Sequence, residues 1–219
     1  MESNNNSQKN NKSTINFKII LVGDTGVGKT CLIKNAAKDI FDEIHTPTLG
    51  FDMLTFECKI DEKQIKLEIW DTCGQETYKS LITSFYKDSA LAMMVYSIDS
   101  NESFYHIESW LKEIKQQSNP DVKIFLIGNK ADLEEKREVD SNKAKQFIEE
   151  NNIEYFKETS AKSGLNVKEV FQRAAQSLYE KHLKYRERAN SNEKKNIPVP
   201  VKLNSKKNER KSGWCCLFN

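Results

Sequence analysis

Between Gly23 and Thr30 the chain reads Gly-Asp-Thr-Gly-Val-Gly-Lys-Thr, a complete G-x-x-x-x-G-K-S/T loop. The chemistry open to these residue types at this spacing is the binding of a polyphosphate. Glycines let successive backbone N–H groups turn inward around anionic oxygens. The lysine can reach the terminal phosphates, and the threonine hydroxyl can ligate Mg²⁺. The candidate phosphate-binding residues are Gly23, Asp24, Thr25, Gly26, Val27, Gly28, Lys29, Thr30 and the adjoining Cys31, with Lys29 also a candidate catalytic group through charge compensation. Taken alone, the loop could also be a glycine-rich turn carrying a solvated lysine.

Three further segments suit the same ligand. Asp71-Thr72-Cys73-Gly74-Gln75-Glu76 follows an apolar run. Asp71 could hold a Mg²⁺-bound water, so that the metal is reached from both Thr30 and Asp71. Gly74 offers a backbone N–H to the last phosphate, and Gln75, a neutral donor and acceptor, is suited to orienting a water for in-line attack. Asn129-Lys130-Ala131-Asp132 supplies a carboxylate that could accept from guanine N1–H and its exocyclic amine. Adenine offers an acceptor at the first position and lacks the second donor, so it would leave Asp132 unmatched, a cost of about 1–3 kcal/mol or more for a charged group. Lys130 can lay its aliphatic stem on the base, Asn129 can tie this loop to the phosphate loop, and Ser160-Ala161-Lys162 can complete the base pocket through a backbone N–H.

These residues need strand ends to hold them. Apolar runs recur at Phe17–Val22, Gln64–Trp70, Ala90–Ile98, Val122–Ile127 and Ile153–Phe156, and three are continuous enough to be buried on both faces. Leu54–Ile60 alternates and meets Ile65, Leu67 and Ile69 across Asp61-Glu62-Lys63, which predicts an antiparallel hairpin. Phe104, Ile107, Leu111 and Ile114, with Trp110 beside them, repeat at helical spacing and are expected in the core. A second stripe, Val167, Val170, Phe171, Ala174, Ala175 and Leu178, is opened by Asn166 as N-cap with Glu169 three residues on. The pattern predicts a three-layer α/β domain over residues 16–183: a mostly parallel six-stranded sheet with one antiparallel edge strand and helices on both faces. Residues 1–15 are expected to be a disordered polar leader, and residues 184–219 a flexible basic tail without periodicity.

The net charge of +2 hides an asymmetry: Lys184–Asn219 holds ten Lys/Arg against three Glu, hence +7, and residues 1–183 carry −5. Basic character confined to a tail does not point to nucleic acid. There is no apolar run of 18 residues and no secretory signal at the start, so neither a membrane span nor secretion is expected. Cys31, Cys58, Cys73, Cys215 and Cys216 fit neither a disulfide framework nor a zinc site, which favours a reducing cytosolic setting.

With these motifs in this order and spacing, the chain resembles the Ras superfamily of small GTPases, and more narrowly the Rab family, over residues 17–183 and at the terminus. The resemblance implies the P-loop NTPase fold known as the G domain, binding GTP or GDP with Mg²⁺, and slow hydrolysis that an activating protein accelerates. It implies that Thr48, in Pro47-Thr48-Leu49-Gly50, senses the γ-phosphate through Mg²⁺ and that Phe41 packs against guanine. Switch I would span residues 39–48 and switch II residues 73–84. The Rab-like segments are Leu49-Gly50-Phe51-Asp52-Met53, Lys66–Thr72 and Ser84–Ala90, in which Met53, Trp70 and Phe85 match an effector-facing aromatic cluster. The chain departs from the pattern at Met53, where phenylalanine is usual, at Cys73, where alanine is usual, and at Glu76-Thr77-Tyr78, which lacks the common arginine. Thr25 crowds the expected position of the attacking water more than glycine would. Adjacent Cys215 and Cys216 match the family's prenylation pair. Expected partners are a GTPase-activating protein, an exchange factor, escort and prenylation machinery, a GDP dissociation inhibitor, effectors and the cytoplasmic face of intracellular membranes, with the protein itself a monomer. The alternatives are a nucleotide-loaded scaffold that seldom hydrolyses and an ATP-using P-loop enzyme.

Overall fold

Each strand's burial sets its sequence pattern. In the computed structural model, which describes residues 14–41, 51–72 and 85–195, six strands form one sheet. They are β1 (Thr14–Val22), β2 (Phe51–Ile60), β3 (Lys63–Thr72), β4 (Leu91–Ser97), β5 (Lys123–Asn129) and β6 (Tyr155–Glu158), in the order β2-β3-β1-β4-β5-β6. β2 is antiparallel to β3 at the edge, and all other pairings are parallel. This is the expected architecture.

The continuous apolar runs are continuous because both faces are covered. Ile19 and Leu21 of β1 face one core with Met93 and Val95 of β4, and this core takes Ile33 of α1 (Lys29–Lys38) and Phe171 and Ala174 of α5 (Val167–Lys195). Ile20, Val22, Met94 and Tyr96 face the other core. It is closed by Trp110 and Ile114 of α3 (Ile107–Gln117) and Ala144 of α4 (Ser141–Asn151). Full burial of one such aliphatic side chain contributes about 1.5–3 kcal/mol.

Several boundaries differ from expectation. β1 begins at Thr14, inside the expected leader, and β2 at Phe51, because ladder bonds engage backbone and need no apolar side chain: Thr14 pairs with Gln64 and Phe51 with Thr72. The hairpin turn is the two residues Asp61-Glu62, both at positive φ (45° and 62°), since Lys63 already pairs with Ile60. A short α2 (Asn101–Tyr105), capped by Ser100 accepting from Ser103 N–H, runs through His106 into α3. Asn166 precedes α5 but at φ 59°; its amide donates to Glu158 O, and Glu169 pairs with Lys157 at 2.7 Å, so the expected capping box does not form. α5 continues through Lys195, past the expected start of the tail, because Glu, Lys, Arg and Ala are strong helix formers. The chain divides into a unit ending at His182 and a second beginning at Leu183. Among the described residues no helix is long and apolar enough to cross a membrane.

Candidate functional site

β1 lies between β3 and β4, where the order of connections reverses, and open α/β sheets gather ligands at such a point. The loop leaving β1 packs tightly there. Gly23 has φ 142°, and a Cβ on it would lie 2.1 Å from Val95 O; Gly28 has φ 95°, and its Cβ would lie 2.3 Å from Asn129 Nδ2. Gly28 is also the residue before α1, with no side-chain cap on the helix and no acidic residue in its first turn. A helix N-terminus of this kind presents N–H groups and a partial positive charge to an anion. Lys29 is 6% exposed, and its Nζ donates to Gly23 O at 2.7 Å and Asp24 O at 2.8 Å, bridging the loop from within.

Thr30 Oγ1 donates to Asp71 Oδ2 at 2.5 Å, and Asp71, at the end of β3, is 1% exposed. The structure therefore joins two of the three expected metal-side residues, Thr30 and Asp71. One hydroxyl and one carboxylate are a sparse, hard-oxygen set, which fits Mg²⁺ held jointly with phosphates.

The expected base side is a lattice centred on Asn129, itself 1% exposed. Its Nδ2 donates to Val27 O at 2.8 Å, and its Oδ1 accepts from Thr159 Oγ1 and Ala161 N–H, both at 3.2 Å. Asn35 of α1 donates to Ala161 O at 3.1 Å. Asp132 Oδ1 accepts from Ser160 Oγ at 2.5 Å, and Ser160 Oγ accepts from Ser163 N–H at 3.0 Å. A carboxylate has about four lone-pair sites, so one bond orients Asp132 without exhausting it. Lys130 stands at φ 64° with Nζ 3.6 Å from Asp99 Oδ1. Arg137 fastens the 3₁₀ turn Ala131–Lys136 to β6 by a two-point contact with Glu158 at 2.9 and 2.8 Å, and it also binds Glu134. Glu158, then Glu134, raise the guanidinium above its ordinary value. Tyr96 lies against Gly128, where a Cβ would be 2.7 Å from its Oη, and burial pushes its phenol well up. Phe41 and Lys162 line a cleft of about 500 Å³ with Asn35 and Gly164.

Met53, 46% exposed, sits opposite Trp70 in the β2–β3 ladder, and Trp70 stacks at 5.1 Å on Phe85. The three residues of the expected effector cluster are thus neighbours. Lys18 Nζ lies 5.2 Å from the centre of the Trp70 ring; burial, partly opposed by Asp88, lowers its pKa. Thr48, Cys73, Gly74, Gln75, Cys215 and Cys216 lie outside the described residues.

Sequence reasoning placed Trp110 in the core and passed over His106. In the structure Trp110 Nε1 donates to Asp24 Oδ1 at 2.9 Å, and His106 Nδ1 lies 2.6 Å from Asp24 Oδ2. Their four-residue spacing was a readable signal of a shared helix face; that this face meets the phosphate loop was not.

The model of the Ras family matches residues 18–180. The chain is also similar to the Ras-related protein Rab-13 of Rattus norvegicus, at 40% identity over 195 residues, covering 89% of this chain and 94% of that protein.

Proposed function

The chain belongs to the Ras family as a Rab-type small GTPase, and on that premise we propose that it is a prenyl-anchored switch that recruits effectors in intracellular vesicle transport. The observation that most supports a guanine-nucleotide switch in this chain is the Asn129 amide, which binds the phosphate loop at Val27 and the base loop at Ala161 together.

In this reading water attacks the γ-phosphorus of GTP as the bond to the bridging oxygen breaks, giving GDP and phosphate. Lys29 and the loop N–H groups offset the developing charge, and Gln75 orients the water. Thr30, Asp71 and Thr48 would hold Mg²⁺, which when bound supplies further charge neutralisation. Thr48 and Gly74 tether the two switch loops to the γ-phosphate, and hydrolysis releases them. Arg137 is committed to Glu134 and Glu158, and an activating protein is assigned the missing arginine. An exchange factor reloads GTP, and a dissociation inhibitor masks the lipids. Effectors meet Met53, Trp70 and Phe85. Two prenyl groups on Cys215 and Cys216 anchor where one would bind marginally, and the +7 tail adds attraction to an anionic leaflet.

Two measurements test the proposal. Gln75→Leu should slow single-turnover GTP hydrolysis at least about tenfold, a barrier rise of about 1.4 kcal/mol, with GTP affinity retained; an unchanged rate removes Gln75 from its role. Imaging of the tagged protein should show membrane signal that the Cys215→Ser/Cys216→Ser form loses, and equal membrane signal in both would refute the lipid anchor.

A further inference from the structure

Asp24 places a carboxylate inside a loop built to receive phosphates, where like charge opposes binding. The structure draws that carboxylate toward α3. Oδ1 accepts from Trp110 Nε1 at 2.9 Å, and Oδ2 lies 2.6 Å from His106 Nδ1. A carboxylate accepts, so the imidazole carries its proton on Nδ1. The main chain of the same residue is held as well, since Asp24 O accepts from Lys29 Nζ at 2.8 Å. Trp110 is buried and fixed by the second core, whereas His106 is half exposed and open to protons from solvent.

We propose that His106 and Trp110 are positioning residues for the phosphate loop, and that the charge on His106 sets how long the nucleotide stays bound. The imidazolium cancels the Asp24 charge through a charge-assisted hydrogen bond. The neutral ring keeps the hydrogen bond but leaves the carboxylate's charge beside the phosphates. Among the described residues Asp24 faces His106 from the loop, and Tyr105, Glu108, Lys112 and Lys115 line the cleft beside it. The inference rests on reading Gly23–Thr30 as the phosphate loop of a bound guanine nucleotide.

The test is the dissociation rate of fluorescent GDP from the full-length protein with Mg²⁺ present, followed from pH 5.5 to 8, across the ordinary imidazole value of about 6.5. Release from the wild type should quicken as pH rises. His106→Asn keeps a donor without a titrating charge and should flatten the profile; with three histidines in the chain, that flattening assigns the effect to this one. His106→Ala combined with Trp110→Phe should release GDP about tenfold faster at pH 6, and adding Asp24→Asn should restore slow release by removing the charge. A purely structural role would lower thermal stability in all these forms and leave the slope with pH intact. An unchanged pH profile in folded His106→Asn, or no rescue by Asp24→Asn, overturns the proposal. A wild type that binds no GDP at all overturns the nucleotide-site reading itself.

Discussion

Gly28 shows how little room the site leaves at the scale of one residue. It holds φ 95°, and a methyl group there would meet the Asn129 amide at 2.3 Å. Gly28→Ala should therefore strain the backbone and push Asn129 off Val27. The expected outcome is a loss of GDP affinity of at least about tenfold, or about 1.4 kcal/mol, read by titration with labelled GDP; wild-type affinity would contradict it. The motif that contains Gly28 was legible because its chemistry is local: eight consecutive residues turn the backbone and supply the cation. Asn129 was legible as a tie between loops but not in its partners, and His106 was legible only as sharing a helix face with Trp110. Its role depends on which helix face meets the loop, and that is decided by strands far away in sequence.

Elements were legible where burial writes a pattern and illegible where the backbone alone does the bonding. β4 could be read from the unbroken apolar run over residues 91–96 because all seven of its residues, the polar Ser97 included, are buried. The starts of β1 and β2, and the end of α5, carry no such pattern. The β2–β3 turn offers a clean test. Glu62 sits at φ 62° without glycine's freedom, and two-residue turns of the I′ kind favour glycine second. Glu62→Gly should relieve a left-handed strain that exceeds the entropy lost, a net gain of about 0.5–1 kcal/mol. In a chain of this size that raises Tm by about 1–4 °C, measured by thermal denaturation, and a fall in Tm would refute the account.

Across the whole molecule, Glu154 braces β5 against α5, accepting from Lys123 of β5 and Ser177 of α5, each at 2.5 Å. Burial works to raise its pKa, but Lys123 and Ser177 outweigh this and hold it below the ordinary glutamate value of 4.5. A depressed folded-state pKa gives stability that is present above the unfolded value and lost as pH falls through the folded one. Denaturant unfolding below about pH 4.5 should thus show a steeper loss in the wild type than in Glu154→Gln; parallel curves would exclude this brace. A larger consequence follows from Asn129. In the proposed function this single enclosed amide ties the base loop to the phosphate loop, so a change at Asn129 would disturb both at once. Selection for faster turnover acting through Asn129 would erode discrimination among purines, and sharper discrimination gained there would lengthen the bound lifetime. Any rate adjustment that spares fidelity has to come from elsewhere in the protein.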